Sequence, residues 1–196
     1  MSAKTDPFIG QPGPDEFPIF YAGYIGKVLS VGPLTSLEAQ RADIKRFETL
    51  NDEKGAFRYA DGKWSVKEVL GHISDAERVF GYRLLRIARA DTTPLAGFDE
   101  NQWAVHAPHH HRPLKDVVHE LLAVRNATLA LVRSLDEAAL GRSALANNKP
   151  VSARALCWIL AGHSQHHLMI LHDRYGVRDL WGATVQPSWE PGVLGG

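Results

Sequence analysis

The chain holds one cysteine, Cys157, in 196 residues, so no disulfide can form within it and packing must carry its stability. It has no surplus of charge: Lys and Arg number 22, and so do Asp and Glu. Without a basic stripe there is no electrostatic footing for nucleic acid or for an anionic membrane. No apolar run approaches the roughly 20 residues that span a bilayer. Met1 to Gly10 lacks the charged-then-apolar pattern of a secretory signal, so the expected location is the cytoplasm. There is no internal repeat and no convincing strand. What is present is 44% hydrophobic content, enough for the core of one globular domain.

That apolar content falls at helical spacing in four long segments. Residues 1–34, with several prolines and the aromatics Phe17, Phe20, Tyr21 and Tyr24, read as an arm packed on the main body, with a short helix near 17–29. Helix one runs from Ser36 to about Leu50, and the tract Asn51–Lys63 ends it. Ser65-Val66-Lys67-Glu68 matches a capping box and starts helix two, whose stripe continues through Leu70, Ile73, Phe80, Leu84 and Ile87 to about Ala90. Pro113 opens helix three, which reaches about Ser134; Ser152 caps helix four, which stops near Tyr175 at Gly176. Gly141–Pro150 reads as a polar connector. The fold expected is all-α: a four-helix bundle over 35–176, with 177–196 as an extended tail. The link from Asp91 to Arg112, carrying a short helix near Asp99–His106, can reach up to roughly 70 Å when extended. It could therefore travel the length of the bundle, which favours up-down-down-up order with helices two and four antiparallel.

Within helix four stands His163-Ser164-Gln165-His166-His167. His163 and His167, at i and i+4, share a face that also carries Leu156, Ile159, Leu160, Ile170 and Leu171. Two core-facing imidazoles need hydrogen bonds or a ligand. His72 lies about 10 Å into helix two, and His167 and His163 about 12 and 18 Å from the end of helix four, similar heights if the helices are antiparallel. Three neutral imidazoles on a divalent ion leave a coordination position open, which suits catalysis more than structure. Zinc and nickel both accept imidazole. His166, on the stripe edge, is the alternative to His167. His106, His109, His110 and His111 read as a solvated loop that could also close over the site, and His119 and His172 as helix surface. Cys157 points about 120° away from His163 and reads as packing. Gly71 and Gly162, each preceding one of these histidines, suggest close approach of neighbouring helices. A di-iron carboxylate bundle needs Glu three residues before His, and no histidine here has one.

The stretch Ala60-Asp61-Gly62-Lys63-Trp64-Ser65-Val66-Lys67-Glu68-Val69-Leu70-Gly71-His72, with Ile73-Ser74-Asp75-Ala76-Glu77-Arg78 after it, resembles the DinB/YfiT-like superfamily. So do Phe98-Asp99-Glu100-Asn101-Gln102-Trp103-Ala104 and the histidine motif of helix four. The resemblance spans roughly 35–176. It implies an up-down-down-up bundle, often a homodimer, with metal ligands matching His72, His163 and His167. It also implies a mixed set of activities, from metal-dependent hydrolysis to transfer or isomerisation with a low-molecular-weight thiol. Two classes of function follow. One is a metal-dependent enzyme, a hydrolase or thiol-dependent transferase acting on a small molecule, with Arg83 and Arg86 on the His72 side of helix two free to hold an anionic substrate or paired with carboxylates. The other is a non-catalytic metal-binding or interaction protein. A concave approach to the histidines favours the first, and a site sealed by a fourth side chain favours the second.

Overall fold

A computed structural model describes residues 8–28 and 31–181. Its elements in chain order are α1 (Ala22–Ile25), α2 (Pro33–Arg46), α3 (Asp52–Ala56), α4 (Val66–Ala88), α5 (Glu100–His106), α6 (Leu114–Arg133), α7 (Glu137–Leu140), β1 (Ser143–Ala146), β2 (Lys149–Ser152) and α8 (Ala153–Arg174). The four long helices form the bundle. α4 begins where expected, because Ser65 accepts from the Glu68 backbone and Glu68 reaches back to the Ser65 N–H. α8 begins at its Ser152 cap and ends before Gly176, which sits at φ +65, a left-handed conformation that favours glycine. α6 starts one residue beyond Pro113, which flanks the helix instead of opening it.

Side-chain bonds fix the helix directions. Arg125 of α6 meets Glu77 of α4, and near the starts of both helices Lys67 donates to the Arg112 carbonyl, so α4 and α6 run parallel. The Tyr175 hydroxyl after α8 donates to the carbonyl of Trp64 before α4, so that pair is antiparallel. Arg133 pairs with Glu38, and His119 with Glu48, which sets α2 antiparallel to α6. The order is up-down-down-up, and residues 89–113 travel the length of the bundle to join the parallel pair.

The core falls into two apolar clusters. One gathers Leu37, Phe80, Leu84, Leu129 and Ile159, and the other Ile44, Leu70, Ile73, Leu121 and Leu168. Between them each long helix contributes polar side chains at core positions: Gln40, Glu77, Arg125, and Ser164 with Gln165. Arg125, wholly buried, donates twice to the Glu77 carboxylate, and also to the Leu37 carbonyl, Gln40 Oε1 and Ser164 Oγ. Gln40 in turn donates to the Ala161 carbonyl and to Gln165 Oε1. This network ties four helices together at one height, and the histidines of α4 and α8 lie beside it.

Two connections differ from the sequence expectation. The tract 141–150 holds most of a β-hairpin, not a featureless connector: Ser143 pairs with Ser152 and Ala146 with Lys149, around Asn147 and Asn148, both with positive φ. A two-residue turn of this kind matches the strand twist and accepts Asn. The hairpin holds the crossover, since Leu95 bonds through its N–H and C=O to Leu145 and Asn147. Asn51–Lys63 includes the short helix α3, capped by Asn51. In the arm, the helical part spans only Ile19–Ile25, a 3-10 turn followed by α1. Of the expected tail, residues 182–196 lie outside the described region, and Arg178–Trp181 forms a 3-10 turn with Trp181 buried.

Candidate metal centre

His72 projects from α4, and His163 and His167 from α8. One nitrogen of each lies within 4.8 Å of the others. His72 Nε2 and His163 Nε2 are 3.1 Å apart. Two nitrogens bound to one zinc ion at its usual distance stand roughly 3.3 Å apart in tetrahedral geometry, so this donor set fits a divalent ion. Among the described residues no fourth His, Cys, Asp or Glu joins the group.

Burial sets the charge state of the three rings. It lowers His72 to about 4, against the raising influence of Glu100 and Asp75. It pushes His163 and His167 well below the usual histidine range, with the neighbouring imidazoles adding to the effect. At neutral pH all three are uncharged with lone pairs to offer, the state that a metal ligand requires.

The rings are held from several sides. Trp64 packs on His72 with centroids 4.8 Å apart, and Tyr24 meets His163 edge-on at 5.3 Å. Both flanking glycines mark close approaches, and only one of these involves a neighbouring helix. A Cβ on Gly162 would stand 2.1 Å from the Tyr24 carbonyl oxygen of α1. A Cβ on Gly71 would stand 2.3 Å from the His109 ring, which comes from the crossover.

His109 corrects the expectation of a solvated loop. It is buried, and its Nε2 bonds Asp75 Oδ2 at 3.0 Å. The notch at Gly71 was the available signal, because a histidine ring fits where no side chain intrudes. His106, His110 and His111 are exposed. His166 is partly buried against Tyr24 and stands outside the cluster. His119 is on the surface, whereas His172 packs edge-on against Trp181. Cys157 is buried and its thiol is pushed up to about 12, consistent with a packing role. Arg86 pairs with Asp91 and the Tyr82 hydroxyl, while Arg83 is buried and donates to the Ala96 carbonyl.

A cavity of about 190 Å³ borders His72 and His163, walled by Tyr21, Tyr24, Phe80, Arg83 and Phe98 among others. Phe20 and Glu100 on its wall are exposed, so it opens to solvent. No helix among the described residues is long and apolar enough to cross a membrane.

Comparison with known proteins agrees with this architecture. The family model of the DinB superfamily matches residues 36–171. A protein of Oceanobacillus iheyensis named "Putative metal-dependent hydrolase OB0413" is 29% identical over 157 residues, which covers 74% of this chain and 89% of that protein. Among solved structures, YfiT from Bacillus subtilis superposes with a TM-score of 0.65 at 21% identity, covering 86% of this chain and 95% of its own. It is described as "a probable metal-dependent hydrolase with an unusual four-helix bundle topology". At that identity the likeness establishes a shared fold.

Proposed function

Since the chain belongs to the DinB superfamily, we propose that it is a metal-dependent enzyme in which His72, His163 and His167 hold one divalent ion, zinc or nickel, and a small molecule reacts in the adjoining cavity. The observation that carries this reading is the convergence of three uncharged imidazoles, two of which, His72 and His163, border a cavity open to solvent. A purely structural site is normally closed by four protein ligands. When bound, such an ion supplies Lewis acidity, which lowers the pKa of water or polarises a substrate oxygen.

The chain's own residues do the remaining work. Burial keeps the imidazoles neutral, and Trp64 and Tyr24 fix two of the rings. The aromatic walls, Phe80 and Phe98 among them, lower the polarity beside the histidines, which strengthens the electrostatic interactions made there. The name of the O. iheyensis relative favours hydrolysis over thiol transfer.

Metal analysis of protein purified without a histidine tag tests the assignment. About one ion per chain is expected, lost in a His163→Ala/His167→Ala variant that remains helical. Unchanged occupancy in that variant would remove the reading. Cobalt substitution then separates the chemistries: a visible spectrum that responds to azide but not to a small thiol supports hydrolysis, and the reverse supports thiol transfer. A spectrum indifferent to both points to non-catalytic metal binding.

A further inference from the structure

Two arginines of the bundle are deeply buried, and the chain treats them differently. Arg125 has its charge matched by Glu77 and its remaining donors taken up by three further oxygens. Arg83, 3% exposed, donates from Nη2 to the Ala96 carbonyl at 2.7 Å and bonds the Tyr21 hydroxyl, but has no carboxylate partner among the described residues. Its guanidinium carbon stands 5.9 Å from the Phe80 ring centroid and 5.8 Å from that of Phe98. A guanidinium keeps its charge in any protein environment, and an unmatched buried charge is costly. Its field reaches the cavity: the Tyr21 phenol, raised by burial, is pulled back down by the Arg83 charge. The arginine without a carboxylate is the one that borders the cavity.

We infer that Arg83 is an anion subsite of this cavity, and that the molecule it takes is a small, planar monoanion, in the simplest case a carboxylate. The guanidinium offers a fork of N–H donors that matches two oxygens of one anionic group. Phe80, Phe98 and Tyr21 supply apolar faces for a flat body, and His72 and His163 border the same space. Glu100, the carboxylate on this wall, is exposed and disfavours a second negative charge on the ligand. The inference rests on the proposed use of the cavity as the place of the reactant, but it concerns a different residue and can fail separately.

Calorimetric titration with benzoate and its neutral counterpart benzamide tests it, using the full chain as purified and after chelation. Benzoate should bind at least tenfold more tightly than benzamide in both states, and Arg83→Gln should reduce that preference to less than threefold. Arg83→Lys, which keeps the charge but loses the fork, should fall between. Should Arg83→Gln fail to fold, arginine side-chain NMR of the native protein gives the answer: the Arg83 Nε–H resonance should move with benzoate and not with benzamide. Equal affinities for the two probes, no benzoate binding, or an unmoved resonance would overturn the subsite. A preference lost on chelation but kept in Arg83→Gln would place the carboxylate on the metal and overturn it too, leaving the metal assignment intact. Conversely, Arg83-dependent benzoate binding in a chain that takes up neither zinc nor nickel would support the subsite while removing the metal reading.

Discussion

Gly162 and Gly71 precede two of the three clustered histidines, and an added methyl would strike different obstacles at each. At Gly71 the obstacle is the His109 ring, a side chain that can turn away at the cost of its bond to Asp75. At Gly162 it is the backbone of α1, with the Tyr24 carbonyl at 2.1 Å, and the backbone has nowhere to go without lifting the arm. Alanine favours the helix interior by about 1 kcal/mol over glycine, yet overpacking typically costs 1–3 kcal/mol. Gly162→Ala should therefore lower the melting temperature, and it should speed proteolytic cleavage within residues 17–28 as Tyr24 leaves His163. A variant that melts and resists protease like the native chain would show that the arm is not seated there.

At the scale of elements, the polar network between the two apolar clusters is the strongest constraint on how the helices meet. Replacing Arg125 alone by methionine leaves the Glu77 carboxylate buried and unmatched, at a cost of about 3–5 kcal/mol. Replacing Glu77 by leucine in the same chain removes that penalty, so the double variant should recover most of the loss in a chemical denaturation series. A double variant no more stable than Arg125→Met would mean that the pair contributes chiefly through its other bonds. This network shows where the sequence was readable and where it was not. Helices two and four were legible because Ser65 and Ser152 cap them and their apolar residues recur at helical spacing. Gln40, Glu77, Arg125 and Ser164 are buried too, but scattered polar residues within an apolar stripe read locally as noise; their meaning lies in meeting one another at one height. The His72, His163 and His167 cluster could be anticipated because two members are one turn apart and the third follows from helix direction. His109 and the hairpin around Asn147 could not be placed in the same way, since their positions depend on how the crossover lies across α4.

For the whole molecule, the question is how far the histidine cluster carries the fold. The apolar clusters on either side of the polar layer contain most of the buried side chains and none of the three imidazoles. An ion bound there stabilises by mass action, about 4 kcal/mol at a thousandfold excess over its dissociation constant, without creating the bundle. Chelation at pH 7.5 should lower the melting temperature while circular dichroism at room temperature stays helical. Acid should then act on the chelated protein through the same rings. Their folded pKa values lie below the unfolded value of 6.5, with His72 at about 4. Below 6.5 the unfolded chain takes up protons that the folded chain refuses. The stability present above that pH is therefore lost as pH falls towards the folded values, by about 1.4 kcal/mol per pH unit for each ring. Carboxylates such as Asp52, held low by the Leu114 backbone N–H and Lys67, act only below this window. Between pH 6.5 and 5 the chelated protein should lose stability steeply, and His163→Ala/His167→Ala should show a much shallower slope. Equal slopes in the two proteins would mean that these rings are not buried uncharged in solution, and the premise of a ligand-ready cluster would fall with them.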